Sequence, residues 1–334
     1  MQLPPFERAP PAGGLALLRT SAVERIVHVP SNNCLIVCES PQPVVTCVPL
    51  GGGSTLGGAS APPPRQLRGH TAEVLCAEAV PEASCLVTGA ADHSLCWWDL
   101  PEHGAATLPG QHFRLRQRVV AAHAPLALRW CHAARLLFSG GSDGAVIPWR
   151  LRDGDGAVIA DAPLAGGHKA AVTCLVMLKA PYDDLLCSTS LDKTARLWDT
   201  SCKPPRCCHG ARPFPGPRDA KLAHACTDVS DFTARVVCAV LRGHTRGVVS
   251  AAFSEWRGLL FTAGLDSSIH VWSALSETII ATLRAHTAPL VEIVDMSGAP
   301  YVASADASGV LHLWDVRSTT QANTPRPRPN PTHT

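Results

Sequence analysis

Apolar positions along this chain come in short bursts, not in long periodic stretches. Val74 to Val80 and Cys85 to Thr88 are β-branched or apolar runs bounded by Gly, Pro, Asp and Ser, with almost no helical period. Such runs, punctuated in this way, predict β-strands joined by tight turns. Val23 to Val29, Cys34 to Cys38 and Val44 to Val48 predict three more strands near the start. The expected fold class is all-β.

The bursts recur with a fixed ending. Five segments close alike, at Trp98, Trp149, Trp198, Trp272 and Trp314. Ten residues before each Trp stands a hydroxyl: Thr88, Ser139, Ser188, Thr262 and Ser304. Six residues before it stands Asp92, Asp143, Asp192 or Asp266, with Ser308 in the last copy. A histidine precedes each set, at His70, His123, His168, His244 and His286. An indole N–H only donates and a carboxylate only accepts, whereas hydroxyl and imidazole do both. A chain of bonds from Trp to Ser/Thr to His to Asp therefore satisfies every polar group in order. These quartets predict structural cement, and no catalytic residue is assigned among them. In the last copy Ser308 accepts more weakly than a carboxylate, and Asp306 stands two residues away.

These residues resemble the Trp-Asp (WD) repeat family, with repeats similar to those of G-protein β-like scaffolds. The likeness covers about residues 65 to 317. It implies a β-propeller of four-stranded blades, with the Trp on the third strand and the hydroxyl on the second. The Asp would lie in the turn between them, and the His on the loop leading into the blade. Residues 23 to 50 look like a degenerate first blade without Trp or Asp, giving six recognisable blades. The long step from Trp198 to Trp272 leaves room for a seventh. Leu15 to Leu18 would supply the outer strand missing from the last blade and close the ring.

The expected organisation is an N-terminal flexible stretch (1–14), a propeller (15–317) with insertions at 51–64, 101–117 and 200–235, and a Pro-rich disordered tail (318–334). These insertions, with a further one at Arg152 to Pro163, follow a third strand and precede a fourth, so they emerge on one face.

Composition adds exclusions. The chain is 46% hydrophobic and 17% charged, which belongs to a folded protein. A net charge of +2 gives no field directed at nucleic acid or an anionic membrane, so neither partner is expected. No apolar run approaches the roughly 18–20 residues of a membrane span. The 14 cysteines include several inside apolar runs, and a reduced cytoplasmic protein is expected, with cilium, flagellum or nucleus as alternatives.

Several patterns invite chemical readings. Gly140 to Gly144 matches G-x-S-x-G around Ser142, which serves as a nucleophile elbow only between a strand and a helix. Cys202, Cys207, Cys208, His209, His224 and Cys226 are zinc-ligand types, but no C-x-x-C pair occurs and no metal or cofactor is expected. Lys169, Lys193 and Arg246, on the quartet-bearing face, are suited to an acidic or phosphorylated peptide. Trp314, Asp315 and Arg317 match the W-D-x-R ending of WD proteins that act as substrate receptors for cullin-type ubiquitin ligases, and the last blade faintly resembles WD proteins of cilia and flagella. The expected function is a non-enzymatic scaffold that docks proteins or peptides, with the adaptor and ciliary roles as alternatives.

Overall fold

The computed structural model describes residues 22–29, 34–49, 64–100, 113–152, 157–164, 166–179, 182, 185–200, 237–274 and 276–317. They form six antiparallel sheets, each a meander in sequence order. Blade 1 holds β1 (Ala22–Val29), β2 (Cys34–Ser40), β3 (Val44–Pro49) and β4 (Arg65–Arg68). Blade 2 holds β5 (Val74–Val80), β6 (Cys85–Ala90), β7 (Ser94–Asp99) and β8 (Arg114–Val120). Blade 3 follows with β9 (Pro125–Cys131), β10 (Leu136–Gly141), β11 (Val146–Leu151) and β12 (Val158–Ala160). Blade 4 comprises β13 (Val172–Met177), β14 (Leu185–Ser190), β15 (Thr194–Asp199) and β16 (Val237–Arg242). Blade 5 has β17 (Val248–Ser254), β18 (Leu259–Gly264), β19 (Ile269–Ser273) and β20 (Ile279–Leu283). Blade 6 has three described strands, β21 (Leu290–Asp295), β22 (Tyr301–Asp306) and β23 (Leu311–Asp315).

The strand bounds explain the burst pattern. In blades 2 to 5 the second strands, β6, β10, β14 and β18, are buried along their whole length, so both faces are apolar or small. Fully covered strands read as continuous apolar runs, not as alternation. The first-to-second connections are short, as in the single 3-10 turn at Pro81–Ala83. The long connections run from third to fourth strand: β3 to β4, β7 to β8, β11 to β12 and β15 to β16. Antiparallel order puts them at the opposite end of each blade from the quartet turns.

Five apolar cores hold the blades together, each between consecutive blades and each containing the Trp of the later one. Trp98 packs with Val29, Ile36 and Val45 of blade 1. Trp149 joins Val87, Leu95 and Trp97 of blade 2, and Trp198 joins Phe138, Leu136 and Val146 of blade 3. Trp272 meets Leu185 and Leu197 of blade 4, and Trp314 meets Phe261 and Val271 of blade 5. No sixth core joins blade 6 to blade 1 among the described residues. There Arg25 of β1 and Glu292 of β21 form an ion pair at 3.8 Å. On these two blades Ile26, Val291, Val294, Leu311 and Leu313 stay exposed, with Leu311 at 75%.

The sequence expectation of six blades, the last with three strands, matches the described sheets. The proposed closing strand at Leu15 to Leu18 lies outside the described residues. So do residues 1–14, the tail 318–334, any seventh blade within 201–236, and the cysteine- and histidine-bearing insertion.

The uneven cores predict uneven opening. Backbone amides of β21 to β23 are expected to exchange faster than those of β13 to β15, because local unfolding starts where buried contacts are fewest. Hydrogen exchange followed by mass spectrometry tests this. Equal protection in blades 4 and 6 would show that the seam is as well held as the cored interfaces.

Candidate functional site

The candidate site is the face that carries the quartets. Each is assembled by a hairpin and the loop before it. On one face of β14 and β15, Leu186 stands opposite Trp198 and Ser188 opposite Arg196, so Ser188 and Trp198 are diagonal neighbours. Cross-strand diagonals are within reach of an aromatic side chain. The Trp198 Nε1–H donates to Ser188 Oγ at 2.8 Å, and His168 Nε2 lies 2.7 Å from the same oxygen. His168 Nδ1 is 3.0 Å from Asp192, which also accepts from the Lys169 backbone N–H at 3.0 Å. Asp192 further accepts from the backbone N–H and hydroxyl of Thr194, which ties the turn together. Lys193, in the turn, has φ 72°, as the tight reversal after the Asp requires.

Blade 5 repeats the pattern. Trp272 donates to Thr262 at 2.9 Å, His244 Nε2 lies 2.9 Å from that oxygen, and His244 Nδ1 is 3.1 Å from Asp266. In blade 2, Trp98 donates to Thr88 at 2.9 Å and His70 Nε2 lies 2.8 Å from the same hydroxyl. There His70 Nδ1 sits 3.0 Å from Ser94 Oγ and 3.4 Å from Asp92, so the serine is inserted between imidazole and carboxylate. Gly69, just before His70, gives the indole its space: a Cβ there would stand 2.8 Å from the Trp98 ring.

Two quartets differ from expectation. In blade 6 Trp314 donates to Ser304 at 2.8 Å and His286 Nε2 lies 2.7 Å from it, but the carboxylate is Asp306. Its Oδ2 is 2.8 Å from His286 Nδ1, and its Oδ1 accepts from the Ser308 hydroxyl at 2.6 Å. Ser308 thus does not weaken the blade, because Asp306 replaces the missing acid from the end of β22. The matching positions hold Ala90, Gly141, Ser190 and Gly264, so an acid at that point was the signal available. Ser308→Asp, which would add a like charge beside Asp306, carries no expectation of a better-protected blade.

Blade 3 keeps only half its quartet. Trp149 donates to Ser139 at 2.8 Å, but neither ring nitrogen of His123 makes a well-aligned hydrogen bond. His123 Nδ1 lies 3.1 Å from Asp143, and the ring presses on Gly141, where a Cβ would come within 2.3 Å. The cause is loop length. β9 begins at Pro125, two residues after His123, whereas β13 begins at Val172, four residues after His168. His123→Ala is therefore expected to cost about 1–2 kcal/mol less than His168→Ala, which removes two made hydrogen bonds. Urea unfolding of both variants measures the difference.

The electrostatics follow from burial. Desolvation holds His70, His123, His168 and His244 below the ordinary imidazole value, against the pull of their aspartates. Burial works to raise Asp192, yet hydrogen bonds from Thr194 and the Lys169 amide, with His168 beside it, hold it down to about 2. The Ser308 hydroxyl and then His286 hold Asp306 well below the usual carboxylate range. At neutral pH the quartets of blades 4 and 5 thus pair a neutral imidazole with a carboxylate.

The remaining sequence candidates fall as follows. Ser142 lies in the exposed turn between β10 and β11, a strand-turn-strand setting that does not make a nucleophile elbow. Nine of the described cysteines are free thiols; burial pushes Cys38 up to about 12 and Cys85 and Cys96 up to about 11, which leaves those three poor nucleophiles. Arg317 donates to Asp315 through Nε at 3.0 Å and Nη2 at 2.7 Å, so the W-D-x-R ending is closed on itself. Lys169, Lys193 and Arg246 are exposed on blades 4 and 5 and make no ion pair among the described residues. Leu191, 44% exposed, stands two residues before Lys193 and packs on Gly247, the residue after Arg246, so closely that a Cβ there would stand 2.9 Å from its side chain. No described helix is long and apolar enough to cross a membrane.

Comparison with known proteins converges on the same repeats. The family model for the WD domain, G-beta repeat, matches residues 62–99, 163–199 and 235–273. Those are blades 2, 4 and 5, the ones whose histidine bonds the hydroxyl and whose aspartate stands at the regular position. An uncharacterized WD repeat-containing protein of Schizosaccharomyces pombe is 26% identical over 62% of this chain and 55% of its own length. Cilia- and flagella-associated protein 337 B of Tetrahymena thermophila is 23% identical over 57% of this chain and 12% of its own length. COMPASS component SWD3 of Saccharomyces cerevisiae is 29% identical over 23% of this chain and 24% of its own length. The chain thus spans about half of the first of these relatives and a small part of the second. An all-β fold of six propeller-type blades, three matched repeats and these relatives make the chain similar to WD-repeat proteins.

Proposed function

We propose that this protein is a non-enzymatic interaction scaffold that docks an acidic or phosphorylated protein segment on its quartet-bearing face, at blades 4 and 5. The observation that carries the reading is the exposed Leu191, two residues from Lys193 and packed on Gly247 beside Arg246, while the Lys169 backbone N–H bonds the adjacent Asp192; none of these three basic residues has an internal ion-pair partner among the described residues. An apolar anchor with basic neighbours suits a peptide that offers an apolar residue between acidic ones. The polar residues that resemble catalytic groups are otherwise occupied. The aspartates and most histidines of this face are bonded within the quartets, which leaves them to hold the blades and not to transfer protons.

Two finer readings draw on the relatives. One is named a COMPASS component and another a cilia- and flagella-associated protein, which supports membership of an assembly without choosing the nucleus or the cilium over the cytoplasm. The ubiquitin-ligase adaptor reading is weaker, because Arg317 is already forked onto Asp315.

The test is capture from native cells with crosslinks mapped by mass spectrometry, comparing wild type with Lys169→Glu/Lys193→Glu/Arg246→Glu. The triple variant is expected to keep its fold and lose the partner, and wild-type binding is expected to weaken as salt rises. Retention of the same partner by the triple variant, or crosslinks confined to the opposite face, would reject this surface.

A further inference from the structure

Blade 5 carries a second imidazole that its quartet does not need. His270, on β19, lies against His244 with ring centroids 4.2 Å apart. It is only 6% exposed. Its Nδ1 is 2.9 Å from Thr282 Oγ1, while its Nε2 is buried and has no hydrogen-bond partner. One nitrogen of each histidine and a carboxylate oxygen of Asp266 all lie within 4.8 Å of one another. Buried polar atoms are nearly always satisfied, so a ring nitrogen without a partner on an imidazole packed beside a second imidazole and a carboxylate marks a place for a ligand.

We propose that His244, Asp266 and His270 form a binding site for a divalent cation of the zinc type, with a fourth position left for water or a partner group. Two imidazoles and one carboxylate are a donor set that suits such a cation. With bonds of about 2.0–2.1 Å, tetrahedral donors stand about 3.3 Å apart. His244 Nδ1 and Asp266 are already 3.1 Å apart, so the closing movement falls on His270. Both imidazoles also have the outer support that metal-binding histidines need. Thr282 holds the far nitrogen of His270, and Thr262 holds that of His244 at 2.9 Å. On cation binding the His244 proton moves from Nδ1 to Nε2 and is donated to Thr262. That oxygen, with two lone pairs, still accepts from Trp272. The quartet exchanges one bond, His244 to Asp266, for two coordinate bonds to the same cation.

Blade 6 supplies an internal comparison. His312 lies against His286 with centroids 4.5 Å apart, but it is only half-buried. Among the described residues only the blade 5 trio brings three such donor atoms within 4.8 Å.

The experiment titrates the metal-stripped full chain with Co2+, read by visible absorption, followed by displacement with Zn2+. One equivalent is expected to bind with ligand-field bands and no thiolate charge-transfer band. His270→Gln, which leaves the quartet intact, is expected to weaken binding by about 100-fold or more, and Thr282→Val by about 10-fold or more. His312→Gln should leave it unchanged. Absence of saturable binding by the folded wild type, a thiolate charge-transfer band, or unchanged affinity in folded His270→Gln would each overturn the proposal.

Discussion

Trp198→Ala is expected to lower the free energy of unfolding by about 3–5 kcal/mol, the range for deleting a large buried aromatic. The indole is fully buried between blades 3 and 4, against Phe138, Leu136 and Val146 on one side and Leu175 and Leu186 on the other. Neither wall can collapse far, because each is a hydrogen-bonded sheet, so most of the cavity would persist. The polar part of the loss is smaller, since Ser188 keeps its bond to His168. Trp198→Phe therefore separates the two contributions, and its cost should be clearly below that of the alanine variant. Urea unfolding measures both. A midpoint for Trp198→Ala close to wild type would mean that the indole does not seal the interface.

Acid should destabilise the protein well before its carboxylates titrate. Burial lowers His70, His123, His168, His244, His270 and His312, with His270 brought to about 4. In the unfolded chain an imidazole takes up its proton near pH 6.5, while in the folded chain these groups take theirs up only at lower pH. The unfolded state therefore binds more protons as pH falls below about 6.5, and stability falls with it. Each such histidine adds a slope of up to about 1.4 kcal/mol per pH unit. Asp92, Asp192, Asp266 and Asp306, all lowered, contribute their loss only below about pH 4. Glu78, Glu277 and Asp295, raised by burial, act in the opposite sense and are outnumbered. Urea midpoints measured in chelator-treated buffer should decline between pH 7 and pH 5. A flat profile over that window would show that the imidazoles protonate without opening the quartets.

The repeat was legible because its chemistry is fixed by spacing. Ten residues between hydroxyl and indole is what a tight hairpin needs to place both on one face, and all five such pairs are bonded at 2.8–2.9 Å. Strand positions in the degenerate first blade were legible too, since β1, β2 and β3 begin within a residue of the predicted runs. The histidine was harder. His123 matched in kind, but the two residues missing before Pro125 change where its ring lands, and residue type alone does not carry that length. Asp306 was visible as an acid in a place of small residues, yet only geometry shows that it reaches His286 from there. His270 gave no signal, because its meaning depends on a ring brought beside it from the preceding loop.

The five cores have a consequence for how the molecule forms. Each joins a blade to the one just before it in sequence, and each quartet closes within one repeat, as from His286 to Trp314. Energetically this is a line of nearest-neighbour units curled round upon itself. A blade emerging during synthesis can complete its own turn, settle on its predecessor and wait for nothing further along. Loop closure is then asked for over short stretches, which favours rapid assembly despite the all-β architecture. Only the meeting of blade 6 with blade 1 requires distant parts of the chain to find each other, and that step comes last.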